Sequence, residues 1–383
     1  MTSALSPSVA TLTADPHPSL ARIRDAGPIG RVESIGGWMV VGHALAVQVM
    51  RDAVTFTVDD PRFTTGRVVG PSMLSTDGPE HARHRQPFLA PFTPRSSRAY
   101  FEDFVAREST RLLSLTAPTG SAEFRTALAA PLATACMQSA LGLERIPVAE
   151  LLGWYGDIVQ AVADITAGAA LPASGPAAYA SLGAAVQSTI AEETGLLREI
   201  ACAAGDLSMA ELLSNTAVLL FGGIETTEGM VSNLLLHLLS DADVMQSVRA
   251  DPARLDAVIE ESLRLEPAAA VIDRYATADV SLGGVHIRRG DLVVVSLAGA
   301  NRDPAVFADP DRFDPHRPNL GRQLSFAQGP HVCLGLHLAR LQARRAALDV
   351  LALPGVALDV DRTTPPSGLV FRKPSAVWAT WSV

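Results

Sequence analysis

The residues FAQGPHVCLG, Phe326 to Gly335, set Cys333 between two glycines and two places after His331, in a chain with three cysteines. A cysteine can be an inert core residue, a nucleophile or a metal ligand, and in the last two roles the thiolate is the working form. Leu334, Leu338, Leu341 and Leu348 repeat on one helical face just beyond it, so a helix begins there. The unpaired N–H groups and dipole of that helix favour a negative sulfur. Gly329 lets the loop turn at positive φ, and Gly335 leaves a flat ligand room against the backbone. The frame suits a sulfur bound to iron beneath a planar macrocycle. A buried, inert cysteine competes with that reading. So does a Cys333–His331 hydrolase or transferase, although no orienting Asp or Asn stands by and the two side chains need not meet.

Three other stretches hold groups that could act. FGGIETTEG carries Glu225 and Thr226 within the most apolar run, Ala217 to Leu239. Glycines beside a threonine pair are poor helix formers, so the hydrogen-bond ladder is expected to loosen there; close helix packing is the plainer account. EESLR places Glu261 and Arg264 three apart on one helical face, which by itself describes a surface ion pair. DGPEHARHR places His81 and Arg85 four apart, sharing a face, as solvated charges commonly do.

The elements around these groups read as mainly α with a small β region drawn from both ends of the chain. Residues 1–28, rich in Pro, Ser and Thr, form an irregular lead-in to one domain, 29–383. Arg31 to His43 is a hairpin turning at Gly36–Gly37. The pattern from Gly78 to Leu239 is helical, broken at TAPTG and LPASGP, and helical again from Asp241 to Glu266. Val280 to Leu297 reads as two strands joined by a turn, the Pro- and Asp-rich run from Asn301 as an ordered loop, and the tail from Leu353 as short strands and turns.

The net charge of −9 argues against bulk binding of nucleic acid. An odd number of widely spaced cysteines fits a reducing compartment and no disulfide framework. The leading residues show no signal peptide or membrane anchor, and Glu225 and Glu228 interrupt the apolar run, so a soluble cytoplasmic protein is expected.

The spacing Phe-x-x-Gly-x-His-x-Cys-x-Gly, continuing as LHLAR, closely resembles the cysteine loop of the cytochrome P450 family. The other stretches match that family in order, from about Asp60 to Arg340. The resemblance implies the family's single-domain fold and haem b (iron protoporphyrin IX), with Cys333 as iron ligand and Phe326 and Gly335 against the ring. His81, Arg85, His331 and Arg274 of VIDRYATADV would hold the propionates. Glu225 and Thr226 would bind and protonate dioxygen, and Glu261, Arg264 and Arg312 of DPDRF would form a buried network bracing the loop. Ala327 departs from the family's frequent glycine and should stiffen the loop slightly. The stretch across residues 64–75 is short, implying a less covered pocket entrance. Pocket walls are expected around Val69, Met73, Leu74, Leu220, Gly223, Val271 and Leu369. The implied activity is monooxygenation of a mainly apolar small molecule, as in natural-product metabolism. Electrons would come from an external ferredoxin and reductase drawing on NAD(P)H, with His337, Arg340, Arg344 and Arg345 as a basic docking stripe. Coupling, ring formation or rearrangement by the same site, and a haem-binding sensor without catalysis, stand as alternatives.

Overall fold

The computed structural model describes residues 7–166, 172–192 and 196–383. Its axis is the 32-residue helix Met209–Ser240, which opens on a capping box. The Ser208 side chain accepts from the Glu211 N–H, and the Glu211 carboxylate accepts from the Ser208 N–H at 2.7 Å, satisfying two otherwise orphaned donors. The helix is continuous through Gly222 and Gly223, so the expected loosening is not seen. Thr226 adds a hydroxyl bond to the Gly222 carbonyl, and a Cβ at Gly223 would lie 2.2 Å from Met137 Sδ. The missing side chain is what lets the helix Ala130–Leu141 close against this one. Leu234, Leu235 and Leu238 pack with Leu132, Cys136, Ala343 and Ala347 in the largest core cluster, which fixes the central helix against the cysteine helix Leu336–Leu351.

Five short strands form the main sheet, in the order Ile29–Val32, Gly37–Val40, Leu292–Ser296, Val271–Ala276, Phe56–Thr57. The first pair is the expected hairpin, turned at Gly36 (φ 65°). Val280 to Leu297 holds three strands, not two. Gly283 and Gly284, both at positive φ, close a small hairpin, and Gly290 (φ 85°) turns the chain again into Leu292–Ser296. The lead-in also departs from expectation. Residues 9–14 and 17–26 are helices, the first capped by the Ser8 side chain. Leu12, Leu20 and Ile23 bury against Val32, Met39 and Val41; apolar packing overrides a composition that reads as loop. Thr64–Val69 is a six-residue helix ended by Gly70. The break expected at LPASGP falls partly outside the described residues, since Leu171 does. Among the described residues no helix is long and apolar enough to cross a membrane.

Candidate active site

Cys333 ends a loop pinned from both sides. A Cβ at Gly329 (φ 76°) would meet the Met50 carbonyl at 2.5 Å, so only glycine fits there. The Cys333 N–H donates to the Phe326 carbonyl at 2.8 Å. Gly335 caps the cysteine helix, and its N–H lies on the side of the sulfur. Burial pushes the thiol up from its ordinary value, while that N–H and the guanidinium groups of Arg85 and Arg340 draw it back. Arg340 forks onto Glu260 at 2.6 and 2.9 Å and lies 4.5 Å over the Phe326 ring.

Ala327 sits at φ 59°, in the left-handed region, so more than slight stiffening is involved. That conformation costs a residue with a Cβ about 1–2 kcal/mol, against about 0.5–1 kcal/mol of extra chain entropy for glycine. Ala327→Gly is therefore expected to stabilise by up to about 1 kcal/mol, read as a rise in Tm of the haem-loaded protein; a fall in Tm would show the strain to be absent.

Between this loop and the central helix lies a cavity of about 260 Å³. Phe326, Ala327, Val332 and Cys333 wall one side, and Leu219, Gly222, Gly223 and Thr226 the other. A Cβ at Gly222 or Gly335 would meet nothing within 4 Å, so both glycines face open space. Of the expected walls, Met73, Leu74 and Gly223 line the cavity. Val69 and Leu220 are buried in the neighbouring core cluster instead, and Val271 and Leu369 pack on the N-terminal helices' cluster. Leu219 and Ile272 take the places of Leu220 and Val271, because one step turns a helix by about 100° and flips a strand's face. Met137 also lines the cavity; it is visible past Gly223 and carries no sequence signal.

Arg85 and His331 line one edge of the cavity, and His81 lies behind them against His331. His81 and His331 stack with ring centroids 4.2 Å apart, and His81 Nδ1 is buried without a partner among the described residues. His331 Nε2 pairs with Asp77 at 2.7 Å. Arg85 reaches the Val332 carbonyl, and Arg274 Nη1 donates to the Asp273 carbonyl at 2.7 Å. Burial lowers His81, His331 and Arg85 and takes Arg274 down to about 10. Two buried guanidinium groups with so little counter-charge, beside imidazoles with a ring nitrogen to spare, call for an anion. An apolar slot with a sulfur on one wall and cations on its edge fits a flat, metal-centred group with acidic substituents.

Glu225 does not line the cavity, whereas Thr226 does. The Glu225 carboxylate accepts from Tyr155 Oη at 2.7 Å and pairs with Lys373 Nζ at 2.7 Å. Glu261 and Arg264 form a fully buried fork at 2.7 Å on both arms. Their arginine partner is Arg317, whose Nε reaches Glu261 at 3.1 Å. Arg312 is exposed and contributes only its carbonyl, so the sequence assignment moves by five residues within a loop that has no period to fix its register. The basic stripe is largely spent internally: Arg340 holds Glu260, Arg344 holds Asp256, and Arg345 turns to Asp349 and Thr110.

The family model described as Cytochrome P450 matches residues 194–352. Cytochrome P450 monooxygenase PikC of Streptomyces venezuelae is 34% identical over 369 residues, 91% of this chain and 86% of that protein. The erythromycin C-12 hydroxylase of Saccharopolyspora erythraea is 32% identical over 354 residues, 90% of this chain and 88% of that one. The crystal structure of CalO2 superposes with a TM-score of 0.88 at 29% identity, covering 99% of both chains.

Proposed function

Since the chain belongs to the cytochrome P450 family, and is thus a haem-dependent oxidoreductase with a bacterial monooxygenase's fold, we propose that it inserts one atom of dioxygen into a mainly apolar small molecule. One observation carries the reading: Cys333 and Thr226 face each other across an apolar cavity. Haem b in that slot would supply the redox iron that activates dioxygen, with electrons from a ferredoxin and its reductase drawing on NAD(P)H. Cys333 would hold it from one wall as thiolate, and Phe326 and Gly335 would lie along the ring. His81, Arg85, Arg274 and His331 would pair with its carboxylates; the orphaned His81 Nδ1 and the under-compensated Arg274 support that role.

The remaining work belongs to protein side chains. Met73, Leu74, Leu219 and Ile272 exclude water and grip an apolar body. The Thr226 hydroxyl, now donating to Gly222, turns to the cavity and moves a proton to the oxygen site, and Glu225 reloads it. The likeness to the erythromycin hydroxylase supports a natural product as substrate.

A compound library screened for shifts of the haem absorption band names ligands of the cavity. With such a ligand, Thr226→Ala should keep the shift but lower product per electron pair by at least about tenfold, the difference appearing as hydrogen peroxide. Unchanged coupling would remove Thr226 from the mechanism.

A further inference from the structure

Lys373 is the chain's one lysine; every other of its 31 basic residues is arginine. It stands at a junction. Its Nζ lies 2.7 Å from Glu225 and 3.1 Å from Glu228, which share one face of the central helix. The second oxygen of Glu225 accepts from Tyr155, on the helix Val148–Thr166, and the second oxygen of Glu228 accepts from Arg125 at 2.6 Å. Arg125, 30% exposed, also donates to the Ser375 carbonyl at 3.2 Å and opens the cluster to solvent. Two carboxylates and two cations thus form one chain from the surface to Glu225, and the next residue along the helix is Thr226. The strand bearing Lys373 runs tight against the helix, since a Cβ at Gly229 would come within 3.6 Å of the Lys373 Cβ. An ammonium is a compact point charge that can sit between two carboxylates, where the planar fork of arginine prefers one.

We propose that Lys373 is a positioning residue for proton delivery: with Tyr155 it holds the Glu225 carboxylate beside Thr226, and with Glu228 and Arg125 it joins that carboxylate to solvent. This rests on the relay assigned above to Glu225 and Thr226. Without Lys373, two carboxylates one turn apart lose their shared counter-charge, and among the described residues Glu225 is held by Tyr155 alone. Like charges so placed repel, so the acid leaves its position and the path to the surface breaks.

A single lysine makes the test direct. Lysine labelled at the side-chain nitrogen gives one resonance in the haem-loaded full chain, observed in the diamagnetic ferrous carbon monoxide complex. Glu225→Gln and Glu228→Gln should each shift it; a resonance at the position of free lysine, indifferent to both, overturns the proposal. The second readout needs no organic substrate. Two electrons and two protons convert dioxygen to hydrogen peroxide, and four of each convert it to water, so peroxide per electron pair reports proton supply. Measured with NADPH, a plant-type ferredoxin and its reductase, Lys373→Met should raise that ratio several-fold, and Lys373→Arg should recover only part of it, because the guanidinium fork favours one of the two carboxylates. If Lys373→Met leaves the ratio unchanged while Thr226→Ala raises it, the lysine only braces the fold and the proposal falls while the relay stands. If Thr226→Ala and Glu225→Gln leave it unchanged as well, the relay falls and takes the proposal with it.

Discussion

Cys333→Ser yields a folded protein whose reduced carbon monoxide complex lacks the long-wavelength band of thiolate coordination and whose oxidation of any cavity ligand falls by more than about 100-fold. Loss of a second-shell partner of a metal site costs about 10–100-fold, and here the ligand itself is lost. Serine is nearly isosteric with cysteine, and the Gly335 N–H beside the sulfur remains available to its oxygen. The loop is held by Gly329 and by the Cys333 N–H bond to Phe326, neither of which involves the sulfur. What disappears is a soft anion able to push electron density toward bound oxygen. Cys136 is buried in the main core cluster and Cys202 is exposed, so serine at either position should leave the band intact. A Cys333→Ser protein that keeps both the band and the oxidation would end the haem–thiolate reading and reopen that of a cysteine without metal.

Sequence reveals such a site where chemistry forces both residue type and spacing. The loop from Phe326 to Gly335 is legible because a sharp turn, a sulfur and a helix start must follow one another within ten residues. The pairing of Glu261 with Arg264 is legible because one helical turn separates them, but that spacing alone describes a surface pair, and only the family resemblance implies its burial. Their third partner reads as Arg312 from the resemblance alone; the ordered loop offers no periodicity by which to choose between arginines, and only tertiary contact selects Arg317. Wall residues fail in the same way. Val271 and Ile272 are equally apolar, and a shift of one residue decides which faces the cavity. Met137 and Lys373 lie still further from sequence logic. The first reaches the cavity only through the absence of a side chain at Gly223, and the second meets Glu225 across a separation of 148 residues. The lead-in shows the limit of composition. Its Pro and Ser residues mark the helix starts at Ser8 and Pro16, while a few apolar positions among them do the packing.

The largest stability effect is expected at Arg264. Its side chain and that of Glu261 are wholly buried and pair at 2.7 Å, so neither charge has water to fall back on. Arg264→Ala leaves the Glu261 carboxylate with Arg317 and the Asp314 N–H at 2.7 Å, and removes donors from the carbonyls of Asn301, Pro310 and Arg312. Breaking a buried pair from one side costs about 3–5 kcal/mol, a large part of the whole stability of a protein. The damage also has a direction. Asn301 receives Leu324 N–H on its side-chain oxygen at 2.7 Å and donates to Ser325 Oγ at 2.9 Å, and Ser325 in turn bonds the Leu263 carbonyl at 2.6 Å. Ser325 adjoins Phe326, the first residue of the cysteine loop, so disorder in the network reaches Cys333 through eight residues of backbone. Arg264→Ala should therefore give protein that holds little haem and unfolds at a markedly lower temperature. Arg317→Ala should do the same less severely, because Glu261 keeps its fork to Arg264. Arg312→Ala, which removes an exposed side chain and keeps the carbonyl, should stay within about 0.5 kcal/mol of the parent. Thermal melting and haem content per chain across these three variants separate the two arginines: a large loss at Arg312 with none at Arg317 would restore the assignment read from sequence and refute the buried contact of Arg317 with Glu261.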